Sequence, residues 1–447
     1  MRIGRANLIL GLAMLLLCGR AAPQSDAGYP ATPGPWKQLA KLTEASGKES
    51  DLLGWSVAVS KDGSTAAVGA AGWCPQQGFD GCGQGAIFVF VKPTSGWADM
   101  TETALLTASD GQPGEYLGES VAISDDGNTI VAGAPVWPAD GSFAGAAYVF
   151  ERPQSGWTDA TEDARLTSTD GSNVSLGQSV AIGGSAIVVG GPGLNTDQGA
   201  AYVFVEPHGG WTNGTQTARL IPSDGPEGDM GYSVAIGGDT VVAGAPSANG
   251  IAGNGAYLFV KPKSGWKNRT ETAKLTAKKG TGFKLGYSVS VSGNMVAVGA
   301  PARRIDNGAV YIYTEPASGW RSTTQRAVLT VPPKYNSLGY SVTAYDDGEG
   351  IVAGDPGWED GGGQGAVVLF VKPTAGWRTT SNFKTRLTAS DGKNQDDLGY
   401  SVSAVANVIV SGAPYVTIGA NPKEGAAYVF GKWRTAAARL PFGVQAQ

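Results

Sequence analysis

The chain has 447 residues, of which 16% are charged, and its formal net charge at pH 7 is −5. Phosphate binding requires clustered Lys and Arg, and the sequence has no such cluster, so we expect no nucleic-acid partner. The length alone would suggest two or three domains, but a repeat that runs along the chain favours one large fold.

The N-terminus has the pattern of an export signal. Arg2 and Arg5 form a basic start, and an apolar run extends from Leu8 to Leu17. That run is short for a membrane span of about 20 residues, which makes a single membrane anchor the weaker alternative. Lipidation of Cys18 stays open, although bulky Leu17 precedes it.

We therefore predict a signal peptide at 1–22 and a disordered leader at 23–35. The mature protein is expected to be secreted, extracellular or periplasmic, with association with the cell surface left open. We expect no membrane span in the mature chain, because no other segment is apolar enough.

One phrase recurs seven times along the chain. It first reads Leu53-Gly54-Trp55-Ser56-Val57, with one variable residue between the Gly and the Ser. A fixed period of this size indicates a stacked or circular repeat fold. The other six copies begin at Leu117, Leu176, Met230, Leu285, Leu338 and Leu398.

The second unit predicts four short strands. Leu117–Ser124 alternates small and apolar residues, and a tight-turn signal precedes a β-rich run at Thr129–Ala134. A third strand is predicted at Gly145–Phe150, and a fourth segment opens at Trp157 and ends at Thr167. Four strands joined by short turns make a meander, which is one blade of a propeller.

Six tryptophans occupy one equivalent position, seven residues after the third strand. A regular Trp at the edge of a repeat indicates a packing wedge rather than a ligand site. These residues are Trp97, Trp157, Trp211, Trp266, Trp320 and Trp377.

Both ends of the repeat array resemble a fourth strand, and one of them is enough to complete the last blade. Trp433 follows Phe430 by three residues instead of seven, whereas Thr43 leads into Gly54 with the same spacing as Thr107 into Gly118. We therefore predict that the N-terminal strand from Trp36 to Thr43 closes the ring, and closure removes an exposed sheet edge.

Two cysteines, Cys74 and Cys82, flank one loop. In an exported chain such a pair predicts a disulfide. A metal site would need a His or a further Cys, and none lies nearby.

The Leu-Gly-x-Ser-Val phrase, followed by Gly133-Ala134-Pro135 and similar triplets, resembles the FG-GAP repeat. That family includes the seven-bladed propeller of integrin α chains and many bacterial exported proteins. The resemblance implies an all-β, seven-bladed propeller of four-stranded antiparallel blades, at residues 36–433, with a C-terminal tail at 434–447. Integrin-like blades often carry an Asp-rich calcium loop, but here it is cut down to turns such as Asp62-Gly63, so we expect no metal and no cofactor.

Aromatic residues cluster in the loops between the second and third strands of blades that become contiguous once the ring closes. We predict a binding surface for protein or glycan there, with one loop fixed by the Cys74–Cys82 bridge. The alternative is that these aromatic side chains fold onto their own blades. The candidate residues are Trp73, Phe79, Trp137, Phe143, Trp358 and Tyr415.

No catalytic residues are predicted. The single histidine, His208, lies in a turn and has no nucleophile to activate. We expect a secreted, non-catalytic, monomeric propeller that binds an extracellular protein or glycan, as an adhesion-type module. Two alternatives stay open: a polysaccharide-active enzyme that uses carboxylates in the central depression, and a purely architectural exported protein.

Overall fold

The computed structural model describes residues 35–75, 82–138, 141–193, 198–224, 228–246, 255–278, 284–301, 308–332, 337–357 and 363–432. Pro35–Trp433 forms one compact unit, built from seven sheets of four or five strands, and the four main strands of each sheet are antiparallel. Among these described residues, none lies in a helix that is long and apolar enough to span a membrane.

Each sheet is one blade, and its strands follow one another outward from the centre. The innermost strands are β2 (Leu53–Val59), β7 (Ser120–Ile123), β12 (Ser179–Gly183), β17 (Ser233–Gly237), β22 (Ser288–Ser292), β27 (Val342–Tyr345) and β31 (Ser401–Val405), in blades 1 to 7. The second strands are β3 (Thr65–Ala70), β8 (Thr129–Ala134), β13 (Ala186–Gly191), β18 (Thr240–Ala245), β23 (Met295–Ala300), β28 (Gly350–Asp355) and β32 (Val408–Ala413). The third strands are β4 (Ala86–Val91), β9 (Ala146–Glu151), β14 (Ala200–Val205), β19 (Gly255–Val260), β24 (Ala309–Thr314), β29 (Ala366–Val371) and β33 (Ala426–Lys432).

The fourth strands complete the blades. In blades 1 to 6 they are β6 (Ala104–Thr107), β11 (Ala164–Thr167), β16 (Ala218–Ile221), β21 (Ala273–Thr276), β26 (Ala327–Leu329) and β30 (Thr385–Leu387). In blade 7 the fourth strand is β1 (Trp36–Thr43), which pairs antiparallel with β33. The prediction that the N-terminal strand closes the ring is confirmed. The segment from Trp433 to Leu440 lies outside the described residues.

Two-residue strands connect each of blades 1 to 5 to the blade before it. They come from the connection between the third and fourth strands and pair parallel with the fourth strand of the preceding blade. We name each of these pairings between neighbouring blades a clasp. A side-chain hydrogen bond reinforces each clasp: for example, the Lys41 amide donates to Asp99 Oδ1 at 2.7 Å. These strands are β5 (Met100–Thr101), β10 (Ala160–Thr161), β15 (Gly214–Thr215), β20 (Arg269–Thr270) and β25 (Thr323–Thr324).

The fixed residues of the repeat make the contacts between neighbouring blades. Ser120 Oγ donates to the Gly177 carbonyl of the next blade at 2.8 Å, and Ser401 Oγ donates to the Gly54 carbonyl at 2.8 Å across the closure. Gly133 packs so closely that an added Cβ would lie 1.9 Å from the Gly177 oxygen. Only glycine permits this approach of two backbones, which explains the glycine of the Gly-Ala-Pro triplet.

The hydrophobic core consists of seven clusters, one between each pair of neighbouring blades. All six tryptophans of the repeat are buried in these clusters, as predicted. The Trp157 Nε1 donates to the Gly127 carbonyl, in the turn between the first two strands of its own blade. The tryptophan is therefore a structural wedge whose polar atom also has a partner.

The second blade differs from its prediction at two places. Leu117 and Gly118 precede strand β7: Leu117 forms an isolated bridge with Gly85, and Gly118, with a φ of +89°, lies in a turn. The predicted fourth segment is divided into the clasp at Ala160–Thr161 and the outer strand at Ala164–Thr167, because these two pieces pair with different blades.

Candidate functional site

The variable residue of each repeat phrase lies at the start of an innermost strand. The Gly before it has a φ between +89° and +100° in all seven copies, which turns the chain into the strand. The residue after it is Ser, whose hydroxyl donates to a Gly carbonyl of the next blade in six of the copies. The variable side chains are thus placed around one end of the central channel, and we name them the central ring: Trp55, Glu119, Gln178, Tyr232, Tyr287, Tyr340 and Tyr400.

Five consecutive members of the central ring are aromatic and touch in series. The ring centroids of Tyr287 and Tyr340 are 4.9 Å apart, as are those of Tyr340 and Tyr400, and the planes are tilted by 52° and 47°. Tyr232 contacts Tyr287 at 5.0 Å, and Trp55 contacts Tyr400 at 4.7 Å. Hydrogen bonds between tyrosine hydroxyls link neighbours along this arc. Tilted packing at these distances is the geometry that aromatic pairs favour.

Polar side chains complete the central ring at blades 2 and 3. Gln178 Nε2 donates to Glu119 Oε1 at 3.2 Å, and the Trp55 indole donates to the same carboxylate. Burial raises the pKa of Glu119 above its ordinary value, and these two hydrogen bonds oppose that rise. The central ring therefore combines aromatic faces with one carboxylate held at a fixed position.

The central channel continues beneath the ring as a cavity of about 440 Å³, lined by the seven innermost strands. On one side of it, hydroxyl groups bind the backbone of the following blade. Ser290 Oγ accepts from the Ala344 amide at 3.0 Å, and Ser341 Oγ accepts from the Val402 amide at 2.9 Å. These bonds satisfy strand edges that face the cavity.

The central ring opens onto the face that carries the connections between blades and the loops between second and third strands, which we name the loop face. Tyr415, in such a loop of blade 7, contacts Tyr400 edge-on at 6.0 Å. Lys423 lies over the Tyr415 ring at 6.0 Å, and Lys284 lies over the Tyr287 ring at 5.5 Å. Burial, followed by Asp396, raises the pKa of Asp397 at this rim to about 6.

Cys74 and Cys82 form a disulfide with a Cα–Cα distance of 5.5 Å, as predicted. Lys48 Nζ donates to the Cys74 carbonyl at 2.8 Å. The Tyr116 ring lies against Gly83, where an added Cβ would be 2.6 Å from Tyr116 Cε1. The bridge thus fixes a loop end on which an exposed aromatic side chain rests.

The predicted aromatic residues fall into three groups. Trp73 and Trp137 are half-buried against the cores beside their blades, and Arg165 stacks over Trp137 at 4.7 Å. Phe143 is 44% exposed, and Tyr415 packs against Tyr400 of the central ring. Phe79 and Trp358 lie outside the described residues.

The central ring was not predicted from the sequence, because the position between Gly and Ser is the one that varies. The signal was nevertheless present: this position is Tyr in four copies and Trp in a fifth. A position that varies between a fixed Gly and a fixed Ser, yet is aromatic in five of seven copies, indicates a candidate binding position.

Candidate catalytic groups at the centre are few. Among the described residues that line the cavity, Glu119 is the one carboxylate. The described part of the chain contains no group of three His, Cys, Asp or Glu side chains placed to hold a metal ion. His208 lies in an exposed turn.

Comparison with protein families gave one match. A family model described as the FG-GAP repeat matches residues 36–90, 100–150, 160–204, 214–259, 269–313 and 382–430, which is more than half of the chain. The first three strands of blade 6 lie outside these segments, and that blade has Asp355 and Val368 where most blades have Ala and Tyr. A search of curated proteins gave no match.

Proposed function

Because the chain belongs to the FG-GAP repeat family, we propose that it is a secreted, non-catalytic binding propeller that presents its loop face to a protein or glycan partner. The observation that carries this proposal is the central ring. Its five aromatic side chains, Glu119 and Gln178 occupy the centre of one face.

The composition of the central ring suits recognition. Tyr and Trp are enriched at the centres of binding interfaces, because they offer large apolar surfaces with one polar group and lose little conformational entropy. The packing around the ring holds these side chains in place before any partner arrives, which lowers the entropic cost of binding. The half-buried carboxyl group of Glu119 adds a hydrogen-bond acceptor to this surface.

Exposed aromatic residues extend the proposed surface toward blades 1 and 2. Tyr116 and Phe143 are 41% and 44% exposed. Both lie on the loop face. Tyr116 lies beside the disulfide-bonded loop, and Phe143 lies beside the connection from blade 2 to blade 3. Their exposure favours a role at the rim of the site. Trp73 and Trp137, in contrast, pack between the loops and the hydrophobic cores.

Secretion is part of the proposal. The N-terminal pattern of basic and apolar residues supports export, and the Cys74–Cys82 disulfide is typical of an oxidising compartment.

A non-catalytic role is favoured over glycoside cleavage. That reaction needs two carboxyl groups on either side of one bond, separated by about 5–10 Å. The central cavity offers Glu119 alone among its described lining residues, and Trp55 and Gln178 already bind its carboxylate.

A binding screen tests the proposal. The mature chain would be probed against a glycan array and an array of extracellular proteins, in parallel with two variants. The ring variant carries Tyr287→Ala and Tyr340→Ala, and the control variant carries Val205→Asp and Val371→Asp, which alter exposed valines on the opposite face. We expect binding that the ring variant loses and the control retains. If the correctly folded wild type binds nothing on both arrays, the architectural alternative is favoured.

A further inference from the structure

We propose that protonation of a buried carboxylic-acid pair, Glu44 and Asp51, controls how firmly the N-terminal strand closes the ring. Glu44 directly follows strand β1, and Asp51 lies in the segment that leads from β1 into blade 1. The two side chains are 7% and 0% exposed and contact each other. Each has one buried carboxyl oxygen without a hydrogen-bond partner, Oε1 of Glu44 and Oδ1 of Asp51.

The pair lies at the seam where the two ends of the propeller meet. The segment after β1 binds the last loop of blade 7: the Ser50 amide donates to the Pro422 carbonyl at 3.0 Å, and the Leu53 amide donates to the Glu424 carbonyl at 2.9 Å. Any force that separates Glu44 from Asp51 therefore acts on the contact that closes the ring.

Comparison with the other blade connections shows that an acid at the position of Glu44 is peculiar to this connection. Asp51 has counterparts in Glu115 and Asp396, and each of these acids accepts a backbone amide three residues earlier in its loop. A single buried acid is thus part of the loop structure. The residues that occupy the position of Glu44 elsewhere are Ala108, Ser168, Pro222, Ala277, Val331 and Ala389, none of which is acidic.

The surroundings of the pair are mostly negative. Glu424, from the last loop of blade 7, is 3% exposed, and its carboxylate accepts from Asn421 Nδ2. Glu102, from blade 1, accepts the Ala45 amide at 2.9 Å. Burial raises the pKa of Glu44 most, followed by Asp51, and these two carboxylates raise it further.

Positive charge near the pair comes from two lysines. The Lys48 amide binds Asp51, while its ammonium binds the Cys74 carbonyl, and Lys41 on β1 acts on Glu424. Two carboxylates in contact cannot both stay ionised in a buried site, so the folded pair shares one proton.

The direction of the pH effect follows from this proton. A carboxyl whose pKa is higher in the folded state keeps its proton there at a pH at which the unfolded chain has lost it. The folded state thus binds more protons, and its stability falls as pH rises above 4.5, the ordinary pKa of Glu44. Closure is firmest in mild acid and loosens toward alkaline pH.

Hydrogen–deuterium exchange of strand β1 tests the proposal. Wild type would be compared with two variants. Glu44→Gln keeps the size of the side chain and removes its charge, and Glu44→Ala introduces the alanine that blades 1 and 6 have at the equivalent positions, Ala108 and Ala389. The ratio of wild-type to variant exchange at each pH cancels the intrinsic pH dependence of the chemistry. Glu115→Gln serves as the matched control at a single buried loop acid, and melting temperatures are recorded in parallel.

We expect equal exchange of β1 at pH 5 and at least about tenfold faster exchange in the wild type than in Glu44→Gln at pH 8, the factor that corresponds to one pKa unit. The melting temperature should fall with pH more steeply in the wild type than in both Glu44 variants, and Glu115→Gln should follow the wild type. A constant ratio across pH would overturn the proposal. So would a wild-type pH dependence that added Ca²⁺ abolishes, since the pair would then belong to a cation site.

Discussion

Lys41 and Asp391, which are 350 residues apart in the chain, form an ion pair with Nζ 2.6 Å from Oδ2. The same Asp391 accepts a hydrogen bond from the Tyr428 hydroxyl. This Tyr–Asp–base arrangement recurs in blades 2, 3 and 4, where the base comes from the blade's own fourth strand. Strand β1 therefore supplies to blade 7 the basic residue that the blade's own fourth strand supplies in blades 2, 3 and 4. The equivalent ion pairs are Arg165–Asp110, Arg219–Asp170 and Lys274–Asp224.

Deletion of Ala31–Ala45 should destabilise the protein strongly. It removes the buried side chains of Ala40 and Leu42 and all pairing of β1 with β33, so we expect a loss of at least about 5 kcal/mol in the free energy of unfolding. Chemical denaturation measures it. Lys41→Ala, which removes only a partly exposed ion pair, should cost about 1 kcal/mol or less. An unchanged midpoint in the deletion variant would refute closure by this strand.

The hydroxyl of Ser401 should contribute measurably to closure. Ser401→Ala leaves the buried Gly54 carbonyl without its donor from the neighbouring blade, and an unsatisfied buried polar group costs about 1–3 kcal/mol. Ser155→Ala, in an exposed turn, is the matched control and should have almost no effect. Equal stabilities of the two variants in urea would show that the Ser-to-Gly hydrogen bond contributes nothing.

Gly133→Ala should be strongly destabilising, because the new methyl group would lie 1.9 Å from the Gly177 oxygen and the two backbones would have to separate. Overpacking of this kind costs about 1–3 kcal/mol or more. In Gly214→Ala the nearest atom, the Thr212 oxygen, is 3.6 Å away, so that variant should be tolerated. The comparison uses thermal unfolding, and a Gly133→Ala protein as stable as Gly214→Ala would contradict the packing described.

Closure by β1 could be predicted from the sequence, because the spacing from Thr43 to Gly54 equals that from Thr107 to Gly118, whereas Trp433 follows Phe430 by three residues instead of seven. The disulfide was predictable for a similar reason, since Cys74 and Cys82 flank one short loop. Both are local or periodic features, which a linear sequence preserves.

The central ring could not be derived in the same way. Trp55 and Glu119 are far apart in the chain, and they meet because seven strands begin at one end of a channel. Conversely, Trp73 and Trp137 are in loops that the sequence places on one face. Whether a loop aromatic is exposed or packs on its blade depends on the local path of the backbone, and the structure places both against the cores.

Removal of the disulfide should loosen the loop face without unfolding the ring. Cys74→Ser with Cys82→Ser opens a loop with a sequence separation of 8, for which the chain-entropy model gives about 2–3 kcal/mol. We expect a lower melting temperature and faster proteolysis near Cys74, compared with the oxidised wild type. If reduction of the wild type with dithiothreitol changes neither property, the bridge does not stabilise this face.

One measurement tests the binding role of the central ring most directly. It is the dissociation constant of the first partner found by the array screen, compared between the wild type and the Tyr287→Ala/Tyr340→Ala variant. We expect at least about a 30-fold weakening, since buried aromatic residues at the centre of an interface contribute 2 kcal/mol or more. The Val205→Asp/Val371→Asp variant should bind as the wild type does. Unchanged affinity in the ring variant, with lost affinity in the opposite-face variant, would contradict the account.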